Sequence, residues 1–93
     1  MPKGSEYGPN YRAAMAGAEL QWEALSKSMR EQMRRSMFSG SGPRGAWLHY
    51  PPLGTARALA RRNLVRRIGH SFWLTPMGLL VREAGHALEA RRG

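Results

Sequence analysis

The sequence predicts an all-α protein: one long amphipathic helix and two shorter ones, joined by extended Pro/Gly/aromatic-rich connectors, with little independent core. Three observations predict it. Apolar residues recur at helical spacing from Tyr11 to Met37, Thr55 and Thr75 each head a further apolar-periodic run, and no two alternating segments suggest a strand pair. The 93 residues allow one small domain, 1–93.

Residues 1–9 read as an extended tail. Asn10 is a suitable N-cap for a helix over 10–38, with an apolar stripe of Tyr11, Met15, Ala18, Trp22, Leu25, Met29, Met33 and Met37. Steps of three and four residues keep that stripe on one face. Glu19 and Glu23 lie toward its start and Arg30, Arg34 and Arg35 crowd its end, as the macrodipole favours. Glu23 with Lys27, and Glu31 with Arg35, are spaced to pair at i,i+4. Such a helix reaches roughly 40 Å. Nothing else in so small a chain is expected to cover the whole stripe. Trp22, Leu25, Met29 and Met33 are therefore assigned to a partner-protein interface.

Ser39-Gly40-Ser41-Gly42-Pro43 ends the helix and opens a connector over 39–54. Pro51 and Pro52 forbid helix there, so Trp47 and Tyr50 are expected to anchor an extended segment in the same partner. Thr55 then caps a basic helix over 55–68, with Ala56, Ala60, Leu64 and Ile68 along a narrow apolar stripe. Arg57, Arg61, Arg62, Arg66 and Arg67 occupy most of its remaining circumference. Gly69-His70-Ser71 loosens the chain. Thr75 followed by Pro76 starts a C-terminal helix over 75–91, whose apolar face is Met77, Leu80, Val81, Ala84 and Leu88. Gly78 and Gly85 lie on one side of it, suited to a close backbone approach.

The net charge of +9 belongs to the middle of the chain. No Asp occurs, and no Glu lies between Glu31 and Glu83, a stretch that holds nine arginines. Segregated charge of this kind calls for an anionic neighbour: RNA, anionic phospholipid or an acidic subunit. The arginine group Arg57, Arg61, Arg62, Arg66 and Arg67 is the candidate contact.

Nothing in the residues points to a reaction. Cysteine is absent, which removes disulfides and thiolate ligands. His49, His70 and His86 have no metal-ligand spacing, so no metal or cofactor is expected. Without Asp there is no Ser/His/Asp set, and no phosphate-binding glycine motif occurs. The polar start lacks a signal-peptide pattern, and no apolar run is long enough to span a membrane.

Arg82-Glu83-Ala84-Gly85-His86-Ala87-Leu88-Glu89, with Gly69-His70-Ser71-Phe72-Trp73 upstream, resembles the N-terminal helix and aromatic lead-in of the γ-type carbonic anhydrase-like subunits of mitochondrial complex I. The match covers about ten residues and lacks the family's β-helix and histidine ligands. It implies a small helical companion in similar surroundings, not such an enzyme. Together with the composition, it leads to an expected function as a non-catalytic accessory subunit of a mitochondrial respiratory complex, complex I first. The chain would lie peripherally on the inner membrane, matrix side, among other subunits and anionic lipid. The alternative expectation is a small RNA-binding protein of the mitochondrial ribosome.

Overall fold

In the computed structural model, residues 9–38 and 45–92 are described. Along them run α1 (Pro9–Ala24), α2 (Lys27–Arg34), β1 (Met37–Phe38), β2 (Ala46–Trp47), α3 (Leu53–Arg61), β3 (Val65–Ile68), β4 (Ser71–Leu74) and α4 (Pro76–Arg92). The fold is α/β, with four helices and a four-stranded antiparallel sheet among the described residues, so the all-α expectation is corrected. The expected tail and the Ser39–Pro43 breaker lie outside the described residues, apart from Pro9 at the start of α1.

The expected single helix over 10–38 is two helices and a short strand. Ser26 ends the first by capping the second: its Oγ accepts the Met29 N–H at 3.2 Å. The carbonyls released at the end of α1 are taken up by the Arg30 guanidinium, which donates to Trp22 O at 3.1 Å and Glu23 O at 2.7 Å. Met37 then leaves the helical stripe for an edge strand and is 45% exposed.

The stripe itself is covered from within. Helix α4 packs along α1, and Ala18, Trp22, Leu25 and Met33 are buried in the chain's own core with Val81, Ala84 and Leu88. Close packing of the two helices depends on Gly85, where a β-carbon would overlap the Trp22 indole. The expectation of little independent core gives way accordingly. Trp22, Met33, Leu59, Leu64, Val65 and Val81 are each fully buried, and each large apolar side chain contributes about 1.5–3 kcal/mol on burial.

The expected basic helix over 55–68 is also divided. Pro52, not Thr55, occupies the N-cap of α3, without a side-chain cap bond. The helix stops at Arg61, Asn63 turns the chain with φ +62°, and Val65–Ile68 pairs with Ser71–Leu74 as a hairpin. Two residues, Gly69 and His70, close that hairpin, with Gly69 at φ +62° in the position where such turns favour glycine. Of the expected stripe, Ala56 and Leu64 are buried but Ala60 is exposed and Ile68 is 54% exposed near the turn, while Val65, outside that stripe, is buried. Strand order is β1-β2-β4-β3, with Trp47 opposite Trp73 and Arg66 opposite Trp73 on its other side.

Thr75 ties these pieces together. Its hydroxyl donates to Asn63 O at 2.7 Å and accepts the Gly78 N–H at 3.0 Å, while its own N–H donates to Leu64 O at 3.0 Å. One buried residue thus ends the hairpin, caps α4 and fixes the turn after α3. Gly78 is required at the same junction, because a β-carbon would run into the Leu64 carbonyl.

Candidate nucleic-acid interface

Burial of Ala56 and Leu59 sets the inward side of α3. Arg57 and Arg61, one helical turn apart, therefore share its outward side. Arg62 is the C-cap residue, and Arg66 and Arg67 follow on β3, where successive side chains alternate between faces. Arg67 stands opposite Phe72 and donates to Gly69 O at 3.1 Å, which holds its guanidinium against the hairpin turn. Arg66 stands on the other face, opposite Trp73. All five candidate arginines are exposed. The structure thus spreads them over a short helix and a β-ribbon, not around one helix.

Where the glutamates sit decides the electrostatics. Glu19 pairs with Arg91 at 2.6 Å and Glu23 with Arg92 at 2.7 Å. Glu89 holds Arg34 through both carboxylate oxygens, with the shortest contact at 2.6 Å, and Glu31 lies 3.7 Å from the same arginine. The Arg34 hydrogen bonds hold the Glu89 carboxyl below its ordinary pKa and raise that of Arg34. All of these groups belong to α1, α2 and α4. The expected pairs Glu23–Lys27 and Glu31–Arg35 are replaced by contacts to α4 and by the Glu31–Arg34 pair.

Residues 53–74 contain no acid at all. Among the described residues, no carboxylate pairs with Arg57, Arg61, Arg62, Arg66 or Arg67. Arg82, by contrast, is spent internally: it donates to Met33 O at 3.2 Å and lies 4.6 Å from the Phe38 ring centre. Burial lowers its pKa, the desolvation cost of a partly enclosed cation. The ion-paired groups therefore lie on α1, α2 and α4, whereas the five arginines of α3, its C-cap and β3 have no carboxylate partner among the described residues.

The residues assigned to a partner interface separate. Trp22, Leu25 and Met33 are interior, and Met29 packs half-buried against the same core. Trp47 is half-buried on the sheet. Tyr50 alone of that set is a surface feature, 88% exposed at φ +46°, with His49 edge-on to its ring at 4.6 Å. Sequence reasoning missed Trp73, Phe72 and His70 beside the arginines. The signal that would have found them is the aromatic run Phe72-Trp73 placed four residues beyond Ile68, across Gly69-His70-Ser71.

Among the described residues no group of His or Glu side chains is placed to hold a metal ion, and no helix is long and apolar enough to cross a membrane. Comparison with protein-family models, curated proteins and solved structures finds no match. The segment Arg82–Glu89, which suggested the complex I resemblance, is the middle of α4, where Gly85 serves the contact with Trp22.

Proposed function

We propose that α3 and the β3–β4 ribbon together bind the backbone of double-stranded DNA, with Arg66 and Arg67 on the two faces of the ribbon. The observation that carries this reading is the set of five exposed arginines without a carboxylate partner, on a helix that leads directly into a two-stranded ribbon. Both element types fit the B-form major groove, whereas the deep, narrow major groove of A-form RNA admits neither well. Guanidinium groups remain charged at all working pH values and bind phosphate in a bidentate manner. Phosphate contact supplies affinity and position, and these arginines offer mainly that.

The structural-subunit reading is the lesser proposal. Its main support was an apolar stripe left for a partner, and α4 now covers that stripe. Exposed Met37 and Phe38 at the sheet edge remain in its favour.

Fluorescence anisotropy on the whole chain tests the first reading, with a DNA duplex, an RNA duplex and anionic phospholipid vesicles as probes. DNA should bind most tightly, and its log affinity should fall against log salt with a slope of about −0.9 per phosphate neutralised. Arg57→Ala with Arg61→Ala should weaken binding and flatten that slope. Stronger binding to RNA or vesicles, or an unaltered slope in the variant, would overturn it.

A further inference from the structure

Between the segment leading into α3 and the turn of the β3–β4 hairpin lies a cleft of about 380 Å³, lined in part by Trp47, Tyr50, His70 and Phe72. We infer that this cleft takes an unpaired base of the bound nucleic acid, so that the protein favours duplex ends and junctions carrying a single strand. The inference rests on the nucleic-acid reading above and adds a second site to it.

Three features of the cleft point to a base. Its size is within the range of small-ligand clefts. Four of its seven lining residues are aromatic, and any nucleobase offers a flat π-face to stack on such rings, which makes such sites tolerant of sequence. Its charge suits what a base is attached to. No carboxylate lines it, and Arg67 sits beside it, directly across the ribbon from Phe72 and bonded to Gly69 O next to His70. An apolar peptide would have no use for that cation; a nucleotide brings a phosphate for it.

The walls are also fixed in advance. Phe72 is held from both sides, by its pairing with β3 and by the Leu48 N–H, which donates to Phe72 O at 2.9 Å. In the connector, His49 lies 5.8 Å from Trp47 and 4.6 Å from Tyr50 between ring centres. Tyr50 stays almost wholly exposed while its backbone adopts a left-handed conformation that a β-carbon disfavours. A large aromatic ring kept at the surface in a disfavoured backbone state fits a contact residue better than a packing residue.

The test compares three DNA probes on the full chain by anisotropy: a blunt duplex, the same duplex with a short single-stranded overhang, and that duplex with an abasic overhang. A 2-aminopurine in the base-bearing overhang reports stacking. The base-bearing overhang should tighten binding roughly tenfold over the blunt duplex and change the 2-aminopurine emission, whereas the abasic overhang should give little gain. Tyr50→Ala, at an exposed position in the connector, should remove the gain and leave blunt-duplex affinity in place; far-UV circular dichroism confirms that it folds. Equal affinity for the blunt and base-bearing probes, or an abasic overhang as effective as the natural one, overturns the inference while leaving duplex binding intact. Failure to bind any probe overturns both.

Discussion

The Trp22 indole occupies the space beside Gly85 where any other residue would place its β-carbon. Trp22 is 1% exposed and has nowhere to retreat, so this contact fixes how closely α1 and α4 approach.

Gly85→Ala should therefore destabilise the fold even though alanine is the better helix former. The propensity gain is about 1 kcal/mol and overpacking costs about 1–3 kcal/mol. Gly78→Ala, which meets the Leu64 backbone, should cost at least as much. Gly17→Ala in α1 is the control: nothing lies within 4 Å of its added β-carbon, and it should stabilise by up to about 1 kcal/mol. Urea denaturation of the three variants checks the order.

Thr75→Val keeps the size of the side chain and removes both hydroxyl hydrogen bonds. It should cost about 1–2 kcal/mol, because the α4 cap is lost and the Asn63 carbonyl loses its bond from the hydroxyl. Thr75→Ser should recover most of that in thermal denaturation. Equal losses for Val and Ser would mean that the methyl group, not the hydroxyl, holds the junction.

The Arg34–Glu89 pair gives stability a pH dependence of known sign. Glu89 has its carboxyl pKa lowered in the folded state, from an ordinary 4.5, by the hydrogen bonds from Arg34. The unfolded chain thus takes up this proton more readily. The stabilisation is present in full above the unfolded value and is lost as pH falls through the lower folded value. Both side chains are over a third exposed, so Glu89→Gln should cost only about 0.2–1 kcal/mol at neutral pH. The difference from the parent should vanish in acid, measured by denaturant titration at several pH values.

Arginines already paired with glutamate should matter little for DNA. Arg91→Ala with Arg92→Ala removes two cations held by Glu19 and Glu23 across the α1–α4 contact. Duplex affinity and its salt slope should change far less than in the Arg57/Arg61 double variant, where the slope should fall by about 2. Equal effects in a salt titration would show that net charge alone governs binding.

Parts of this structure were legible in the residues. Thr75-Pro76 marked the start of α4, and Ala18, Trp22, Leu25 and Met33 of the helical stripe are buried, against the chain's own core and not against the expected partner. The arginine cluster and the absence of acid around it were plain. The hairpin was not, because Arg66 and Arg67 stand side by side and hide the period-two alternation of so short a strand. The break at Ser26 was hidden as well. Apolar spacing runs through it without a change of period, and only the Ser26 cap and the Arg30 guanidinium show that the helix stops and restarts.

By itself, the sequence determined where charge and apolar surface lie along the chain: a helical stripe, an acid-free arginine stretch and a C-terminal helix with two small positions. Periodicity and composition carry that information because they depend on neighbours a few residues apart. Only the tertiary structure decided what covers the stripe, since that required α4 to return against α1 across more than fifty residues of chain. It alone also divided the arginines into paired and unpaired sets. Whether a guanidinium meets a carboxylate depends on which helices face each other, and neither spacing nor composition encodes that directly.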